Sequence, residues 1–464
     1  MGEVTQNLDD RRRSATQGLD RSHRSTFGQF FTPTPVARFM ASLVETVNLE
    51  NPNILDPGAG IGLLSAALLD RLGGNGTVTA YELEPAFQIG LKETLSAYSG
   101  NHAVLNKDFI EHAVMLAATG KSPGYDLAIL NPPYKKIQTD SHHRAMVRKI
   151  GVETSNLYTC FLACTVFLCR PGAQIVAIIP RSWMNGLYFK PFRYWLFGHA
   201  ALTHIHVFDS RDQAFKDDKV LQENVIIKLL VGRPQSDVEV SVSHDQTFSD
   251  VRHRRALFSE VITPDDDEMF VHIPTLGSPS TNGLPGRPLR EIGLDICTGP
   301  VVDFRLRDHL RMEPETGSVP LLYSTHFSEE RFEWPKQTRK PNAIIVNSET
   351  RRWLMPNGCY VIVRRFTSKE ERRRIMAYFL PGNALPGNLV GFENHLNVIH
   401  QNKHGLEPTI ASGIAAYLNS QAVDDYFRTF SGHTQVNAVD LRRLRYPSIE
   451  ELRAMGKADA QKSS

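Results

Sequence analysis

The chain has 464 residues, a length that suggests two or three domains with a large hydrophobic core. Hydrophobic residues make up 41% and charged residues 22%, as in ordinary globular proteins, and no apolar run approaches twenty residues, so we expect neither export nor a membrane span. The net charge of +2 excludes a uniformly basic nucleic-acid binder but leaves room for local basic clusters.

The five cysteines are odd in number and form no C-x-x-C pair, so the sequence predicts neither a disulfide framework nor a zinc site. Cys160 and Cys164 are spaced for one face of a helix and are expected to be buried small hydrophobes. His142 and His143 lie in a predicted polar loop without further ligands, so we expect no metal. This cysteine usage predicts a cytoplasmic protein.

The N-terminal segment is polar, and residues 1 to about 25, with Arg11 to Arg13, predict a disordered tail or alternatively a phosphate-binding arm. Thr32 stands where a helix cap belongs, directly before Pro33. Apolar residues at helical spacing then predict a helix through Val36, Phe39, Met40, Leu43 and Val47.

A glycine-rich turn follows the first predicted strand. Ile54 and Leu55 lead into Asp56-Pro57-Gly58-Ala59-Gly60-Ile61-Gly62, and the run Leu63 to Leu69 then predicts a helix. Glycines in such a turn let a ligand approach backbone N–H groups at the positive end of the helix. The G-x-G-x-G spacing differs from the dinucleotide fingerprint G-x-G-x-x-G, which favours a ligand other than NAD.

Acidic residues follow the next two predicted strands. Glu82 comes after Thr77 to Tyr81, about twenty residues beyond the glycine turn, and is placed to hold ribose hydroxyls. Asp108, with Phe109 beside it, follows a strand that begins at Ala103. Because ligands of open α/β sheets lie outside the carboxyl ends of the strands, we expect these acids to surround one ligand.

The fourth predicted strand ends in the motif Asn131-Pro132-Pro133-Tyr134. Leu127 to Leu130 is an apolar run typical of a strand buried on both faces, and the prolines stop it. The Asn131 side-chain oxygen and a carbonyl held by proline are two fixed acceptors, which suit a planar amine with two N–H donors. They would draw the delocalised lone pair back onto nitrogen, so the motif favours electrophile transfer to nitrogen, with the Tyr134 ring as a stacking surface. The alternative is a strand-ending turn without chemistry, which the preceding glycine turn disfavours.

The rest of the first half predicts a helix over 155–168 and strands at 174–180, 204–206 and 224–230. From about 235 the sequence becomes polar, and 277–286 has the composition of a linker.

Beyond residue 288 basic groups alternate with aromatic residues, which is compatible with solvated helix faces or with a DNA-binding module. The polar loop Ser431 to Asn437 favours the second interpretation, because Gln and Asn pair bidentately with adenine and Arg with guanine. The candidate DNA contacts are Lys135, Arg364, Arg365, Gln435, Asn437, Arg442 and Arg443.

These motifs in this order resemble the AdoMet-dependent N6-adenine DNA methyltransferases of the gamma class, typical of type II restriction-modification systems. The resemblance covers roughly residues 25 to 235, and continues through Asn156-Leu157-Tyr158 to Tyr188-Phe189-Lys190-Pro191-Phe192-Arg193. Asp56-Pro-Gly-Ala-Gly stands where Asp-Pro-Ala-Cys-Gly is commoner, an exchange of small residues that changes little. Beyond residue 288 the chain resembles, less specifically, the target-recognition domains of the same family.

The resemblance implies roles for individual residues. The cofactor S-adenosyl-L-methionine (AdoMet) would be contacted by Phe31, Thr32, Asp56, Gly58, Gly60, Glu82, Asp108, Phe109 and Asn131. Asn131, Pro132, Pro133 and Tyr134 would carry the catalysis, and Phe189 would hold the flipped target base against Tyr134. Phe189 is alternatively a core residue of an amphipathic helix, in which case Phe192 is the second candidate.

We therefore expect an α/β protein, with a Rossmann-like AdoMet methyltransferase sheet and a C-terminal mixed α/β target-recognition domain. The predicted divisions are a tail over 1–25, a catalytic domain over 26–245, a connecting segment over 246–287 and a recognition domain over 288–464. The implied activity is methylation of N6 of an adenine flipped out of duplex DNA, without a metal. The expected partners are double-stranded DNA and a separately acting restriction endonuclease, and the expected state is a monomer or weak dimer.

Three alternatives remain open from the sequence. Asn-Pro-Pro-Tyr also occurs in enzymes that methylate a glutamine amide of release factors, and transfer to RNA or to a protein amide uses the same acceptors. A fused endonuclease would need a further cluster of acids and lysine, which we do not find. A DNA-binding module without catalysis would leave the glycine turn and Asn131 unexplained.

Overall fold

A computed structural model describes residues 32–208, 223–264, 266–274, 284–328, 332–367, 371–430 and 435–462. The chain divides into two units, Met1–Gly277 and Ser278–Ser464. Within the described ranges, no helix is long and apolar enough to cross a membrane.

One nine-stranded sheet organises the first unit. Its strands are β1 (Asn53–Pro57), β2 (Thr77–Tyr81), β3 (Ala103–Leu105), β4 (Tyr125–Leu130), β5 (Cys169–Pro180), β6 (Ala200–Phe208), β7 (Asn224–Val231), β8 (Val238–Ser243) and β9 (Arg252–Ala256). Their spatial order is β3-β2-β1-β4-β5-β7-β6-β8-β9. The strands from β3 to β5 in that order pair in parallel, while β7 runs antiparallel to both of its neighbours. The expected mostly parallel α/β sheet is therefore confirmed.

Helices connect these strands and cover the sheet. They are α1 (Thr34–Ser42), α2 (Leu63–Arg71), α3 (Pro85–Ser96), α4 (Phe109–Ala118), α5 (His142–Arg148), α6 (Leu157–Leu168), α7 (Lys190–His199) and α8 (Phe258–Val261). Two buried apolar clusters lie on the two faces of the sheet, and β4 contributes to both: Leu127 and Ile129 to one, Ala128 and Leu130 to the other. The prediction of a strand buried on both faces is confirmed.

The order of the strands places their carboxyl ends around one position. β1 pairs with β2 on one side and with β4 on the other, so the chain order reverses between β1 and β4. In open α/β sheets such a reversal leaves a crevice outside the carboxyl ends of the strands. Asp56, Glu82, Asp108 and Asn131 all lie at or just beyond these ends.

The structure corrects the predicted end of the first domain. β8 pairs in parallel with β6, and β9 pairs antiparallel with β8, so the sheet continues past residue 245 to Ala256. Residues 246–256 therefore belong to this unit rather than to a connecting segment. The sequence of β9, Arg-His-Arg-Arg-Ala, resembles a polar loop because β9 is an edge strand, where charged side chains face water and discourage further pairing.

Three local predictions also need correction. The first helix ends at Ser42, so Val47 is not part of it and is 80% exposed. His142 and His143 begin helix α5 instead of lying in a loop. Phe189 ends a short 3-10 turn, Leu187–Phe189, and precedes helix α7 instead of lying within it.

The cysteine prediction is confirmed for helix α6, where Cys160 and Cys164 are both buried in the core. Burial raises the pKa of the Cys160 thiol to about 12, so this side chain stays protonated and behaves as a small apolar group.

The second unit is a mixed α/β structure. Its strands are β10 (Arg287–Pro288), β11 (Asp295–Thr298), β12 (Leu310–Arg311), β13 (Ser318–Leu322), β14 (Ala343–Ile345), β15 (Leu354–Pro356), β16 (Tyr360–Arg364), β17 (Ala377–Leu380), β18 (Leu389–Phe392), β19 (Leu396–His400) and β20 (Arg445–Tyr446). Its helices are α9 (Pro408–Leu418), α10 (Gln421–Phe430), α11 (Ala438–Arg443) and α12 (Ile449–Lys462). The strands form sheets of two, four and five members, ordered β10-β20, β11-β19-β16-β17 and β12-β14-β13-β18-β15.

Candidate active site

A cavity of ≈ 390 Å³ lies beyond the carboxyl ends of the parallel strands. Six of the predicted cofactor residues line it, namely Gly58, Gly60, Glu82, Asp108, Phe109 and Asn131, as do Pro133 and Lys135. Two predicted cofactor residues of the described chain are not on this lining: Thr32 bonds to Asn131, and Asp56 is buried at the start of the glycine turn. Phe31 lies outside the described residues.

The glycine turn crosses from β1 to the end of β2. The backbone N–H groups of Gly58 and Ala59 both donate to the Tyr81 carbonyl at 2.9 Å. Gly58 has φ +78° and Gly62 has φ +87°, and a Cβ added at Gly62 would come within 2.8 Å of Leu91. These positions require glycine because of backbone conformation and close packing. The turn thereby keeps the cavity side of the loop free of side chains.

Asp56 is a buried carboxylate with one unused oxygen. Its side chain is completely buried, and one oxygen accepts a 2.6 Å hydrogen bond from the Ser65 hydroxyl. The other oxygen, Oδ1, has no hydrogen-bond partner in the part of the chain that the structure describes. Burial raises the pKa of Asp56 from 3.8 to about 7. A buried oxygen of this kind fits a cationic donor, such as the ammonium group of an amino acid moiety.

Glu82 connects the glycine turn to the end of β2. One carboxylate oxygen accepts from the Gly60 N–H and the other from the Glu84 N–H, each at 2.8 Å. Burial raises the pKa of Glu82, although these two hydrogen bonds oppose the shift. Each oxygen keeps a further lone pair, so Glu82 can shape the turn and still accept from ligand hydroxyls.

Asp108 has a partner that the sequence analysis missed. Its Oδ1 caps helix α4 by accepting from the Glu111 N–H at 3.0 Å, and its Oδ2 lies 2.9 Å from His143 Nε2. Burial alone would raise the pKa of Asp108, but the hydrogen bonds from His143 and Glu111 outweigh it and lower that pKa. The same hydrogen bond raises the pKa of His143. Both side chains line the cavity.

We expect this pair to make the stability of the protein pH dependent. Because the pKa of His143 is raised, its contribution to stability is complete below its ordinary value of 6.5 and is lost as the pH rises through the raised value. The stability lost in His143→Ala should therefore be larger at pH 6 than at pH 8.5, and below ~1 kcal/mol because the pair is partly exposed. Thermal melts across that range measure it. His199→Ala removes an exposed histidine bonded to a backbone carbonyl and is the control; a pH-independent loss in His143→Ala would contradict the pairing.

Aromatic rings form one wall of the cavity. The Phe109 ring lies 5.0 Å from Tyr81 in an edge-to-face arrangement and 5.1 Å from Phe161, centroid to centroid. All three residues line the cavity. An apolar wall beside the carboxylate of Asp108 suits a flat heterocycle that carries an amine.

Asn131 occupies the cavity edge in a fixed orientation. Its Nδ2 donates to the Thr32 hydroxyl at 3.0 Å, and its Oδ1 accepts from the Tyr134 hydroxyl at 2.8 Å. The Tyr134 hydroxyl also lies 3.2 Å from the Ile178 carbonyl. Burial raises the pKa of Tyr134, so it remains a neutral donor. These contacts hold the Asn131 amide in one orientation at the cavity edge.

The aromatic rings assigned to the target base meet around Tyr158. The Tyr134 ring lies edge-on to Tyr158, with centroids 6.3 Å apart, and the Phe189 ring lies 5.8 Å from Tyr158. Phe189 is only 5% exposed, and Phe192 is completely buried. In this structure Phe189 is thus packed in the core, as the alternative interpretation expected, while its neighbour Tyr188 is 78% exposed.

A buried arginine fixes the segment that carries Phe189. Arg193 is completely buried, and its Nη1 donates to the carbonyls of Trp183 and Gly186, both at 2.8 Å. The Phe189 N–H donates to the same Gly186 carbonyl at 3.0 Å. The position of Phe189 therefore depends on Arg193, whose Nε also bonds the Glu268 carbonyl at 2.8 Å.

The predicted DNA contacts of the second unit already make contacts within it. Arg442 Nε donates to Asp295 at 2.7 Å, and its guanidinium also bonds the Ile296 carbonyl. Asn437 begins helix α11 in a reciprocal cap with Asp440. These contacts give Arg442 and Asn437 structural roles within the unit, and their contact with DNA stays a prediction.

Arg365 and Gln435 bond each other, with 3.4 Å between Nη2 and Oε1. Arg443 lies half-buried at the end of helix α11. Residues 431–434 of the predicted recognition loop lie outside the described residues.

Sequence reasoning missed His143, Lys107 and Phe161, all of which line the cavity. Asp108, which caps helix α4, pairs with His143 of helix α5. Glu111, in the first turn of helix α4, pairs with the preceding His142. The three-residue spacing of the two acids could have indicated these pairs, but only if the packing of helix α5 against helix α4 had been known.

Comparisons with known proteins identify relatives of this chain. The family model described as Eco57I restriction-modification methylase matches residues 75–215. The chain is 46% identical over 455 residues to the type II methyltransferase M.BsuBI of Bacillus subtilis, covering 94% of this chain and 90% of that protein. It is 39% identical over 467 residues to the type II methyltransferase M.PstI of Providencia stuartii, covering 96% and 92%.

Two solved structures resemble the fold. A cryo-EM structure of a DrdV–DNA complex aligns with a TM-score of 0.53 and 13% identity, over 99% of this chain and 62% of that chain. A nuclease-deletion mutant of the type ISP restriction-modification enzyme LlaGI, with a DNA substrate mimic, aligns with a TM-score of 0.54 and 12% identity, over 97% and 56%. The chain thus spans about three fifths of the length of these structures, and the likeness concerns the fold alone.

Proposed function

Because the chain belongs to the family of type II restriction-modification methyltransferases, we propose that it transfers a methyl group from AdoMet to N6 of adenine in duplex DNA. The observation that carries the proposal is Asn131, which lines the cavity with its amide oriented by Thr32 and Tyr134. The other parts of the cavity and its surroundings are consistent with each component of the reaction.

The acceptors at the end of β4 favour a nitrogen nucleophile. Asn131 Oδ1 and the Pro132 carbonyl can each accept one N–H of an exocyclic amine, and proline fixes the backbone between them. Two acceptors polarise the amine and localise its lone pair on nitrogen. The Tyr134 hydroxyl, which donates to Oδ1 at 2.8 Å, limits rotation of the amide. Positioning and electrostatics of this kind lower the barrier without a covalent intermediate.

The residues on the cavity lining, together with Asp56 at the start of the glycine turn, fit AdoMet. The unpartnered Oδ1 of Asp56 suits the methionine ammonium group, Glu82 suits the ribose hydroxyls, and Asp108 beside Phe109 suits the adenine amine. When bound, AdoMet supplies an activated methyl group. Asn131 lies on the lining of the same cavity, so the amine it holds would be beside the cofactor.

The proposed DNA substrate requires that the target base leave the helical stack. N6 of a stacked adenine is out of reach of a cofactor held at the ends of the strands, and extrusion costs a few kcal/mol. Stacking on an aromatic ring contributes ~1 to 3 kcal/mol per base, so the rings of Tyr134 and Phe189 could offset much of that cost. Because Phe189 is packed against Tyr158 in this structure, its use requires a local shift of the segment that carries it.

The proposal is tested by supplying AdoMet with a labelled methyl group to the full chain in separate tubes with duplex DNA, RNA and protein. We expect label in DNA alone. Label in RNA or in a protein glutamine amide would select the alternative N-methyltransferase functions, which use the same acceptors. The Asn131→Ala protein serves as the blank for adventitious methylation.

Substitution of Asp56 by Asn should separate cofactor binding from stability. The loss of a charge-assisted hydrogen bond predicts AdoMet binding weaker by ~1.5 to 3 kcal/mol, roughly 10- to 150-fold, measured by calorimetry. Without AdoMet, the same substitution should instead stabilise the protein. Since its pKa is raised to about 7, Asp56 contributes to stability below its ordinary value of 3.8, and that contribution is lost as the pH rises toward 7. The melting temperature of Asp56→Asn should therefore exceed that of the wild type increasingly between pH 4 and pH 7.

Glu50→Ala is the matched control, because Glu50 is an exposed carboxylate outside the cavity lining. It should change neither AdoMet affinity nor the pH dependence of melting. Unaltered AdoMet affinity in Asp56→Asn would mean that Oδ1 does not contact the cofactor.

A further inference from the structure

The second unit contains a cavity of its own, of ≈ 270 Å³. It lies at the end of strand β16 and at the turn between β18 and β19. Six side chains that carry the inference line it, namely Tyr323, Lys340, Arg364, Phe366, Glu393 and His395. Of these six, only Arg364 has a role predicted from the sequence, as a DNA contact.

A buried carboxylate fixes the chemistry of His395. Glu393 is completely buried, and its Oε2 accepts from the His395 backbone N–H at 3.0 Å while Oε1 contacts Nδ1 of the same residue. Because a carboxylate only accepts, the proton of the imidazole lies on Nδ1. The other ring nitrogen, Nε2, is then an acceptor in the neutral ring. The His395 side chain is 47% exposed, so a ligand can reach it.

Tyr323 supplies an unused polar group at the same cavity. The residue is 1% exposed, and its hydroxyl has no hydrogen-bond partner within the described ranges of the chain. Burial of a hydroxyl without a partner is costly, which indicates that a ligand or water completes it. Phe366 adds a flat apolar surface, being 41% exposed with its ring 5.1 Å from that of His395.

The charges of the cavity disfavour a phosphate ligand. Lys340 pairs with Asp303 at 3.1 Å, and Arg364 lies 3.9 Å from Glu371, so both cations already face acids. The buried Glu393 adds a negative charge that would repel an anion. A neutral group with both donors and acceptors, lying against an aromatic ring, fits this lining better.

We propose that this cavity recognises the edge of one nucleobase, with His395 Nε2 accepting from the exocyclic amine of adenine or cytosine beside the Phe366 ring. The inference rests on the proposed function, which makes duplex DNA the substrate. In the major groove only adenine and cytosine present an amine donor, so an acceptor fixed by a buried carboxylate distinguishes them from guanine and thymine. His395 is thereby a specificity-determining residue of the second unit, with Glu393 as its positioning residue.

The test measures which duplexes the full chain retains from a random-sequence library, at two salt concentrations. His395→Ala should relax the preference at one base pair by roughly 5- to 150-fold, with the salt dependence of binding unchanged. His309→Ala is the matched control, because His309 also pairs with a carboxylate, Glu349 at 3.2 Å, but does not line the cavity. Phe366→Ala, at a position that is also well exposed (41%), should weaken the same preference and serves if His395→Ala fails to fold.

Several results would overturn the inference. One is an unchanged sequence preference in both variants, and another is a wild-type protein without any sequence preference. A third is a His395→Ala protein that binds all sequences more weakly with a salt slope flatter by about one, because that result indicates a phosphate contact. Methyl transfer to bulk DNA is measured in separate tubes. A protein that prefers one duplex sequence but transfers no methyl group to DNA would contradict the proposed function and leave the recognition result intact.

Discussion

Replacement of Asn131 by Ala should reduce methyl transfer by at least ~100- to 1,000-fold while leaving AdoMet binding nearly intact. The change removes Oδ1, the proposed side-chain acceptor for the target amine, and each such preorganised group is worth about 2.7 to 4 kcal/mol in the transition state. It also removes the partner of the Thr32 hydroxyl, whereas the Tyr134 hydroxyl keeps its contact with the Ile178 carbonyl. Single-turnover transfer to DNA and calorimetry with AdoMet give the two quantities.

Two further variants make the result specific. Asn131→Asp keeps an acceptor oxygen at the same position and should retain more activity than Asn131→Ala. Asn101→Ala changes an exposed asparagine near the opposite end of strand β3 and should behave as wild type. Turnover of Asn131→Ala within tenfold of the wild type would remove Asn131 from the catalytic role.

Phe189→Ala should lower both stability and activity, because the side chain is buried and is also assigned to the target base. Loss of a buried phenyl ring costs about 3 to 5 kcal/mol of unfolding free energy. Loss of a stacking surface costs a further ~1 to 3 kcal/mol in binding of the extruded base. The second cost should shrink when the target adenine lies opposite an abasic site, because an unpaired base is easier to extrude.

Phe192→Ala separates the two costs. Phe192 is a completely buried ring three residues further along the chain, so its loss should destabilise the protein without a dependence on the abasic site. Phe189→Leu keeps most of the volume, and gives the activity comparison if Phe189→Ala does not fold. Fluorescence of 2-aminopurine at the target position reports extrusion. Equal losses on both substrates would identify Phe189 as a core residue only.

The sequence predicted those parts of the fold that depend on local pattern. The apolar run of β4 and the glycine turn after β1 both lie where their residues indicated, because burial on two faces and positive φ angles leave clear local signals. The cavity was predictable from the same pattern, since parallel strands bring their carboxyl ends to one edge.

Contacts that depend on docking were not predictable. His143 reaches Asp108 only because helix α5 lies against helix α4, and Arg442 meets an acid 147 residues away. Strand β9 was missed because it lies at the edge of the sheet, where its charged side chains face water and leave no apolar pattern in the sequence. The packing of Phe189 was ambiguous because a large aromatic residue fits a core and a base-binding surface equally well.

The central claim is that the amine held by Asn131 is N6 of adenine, and the nucleoside that receives the methyl group tests it most directly. Duplex DNA treated with the full chain and labelled AdoMet is digested to nucleosides, and the products are separated and identified by mass. We expect all enzyme-dependent label in N6-methyl-2′-deoxyadenosine, absent from the Asn131→Ala reaction. Label on N4 of cytosine would contradict the adenine assignment, and label on a ring carbon would contradict the role of Asn131 as acceptor for an exocyclic amine.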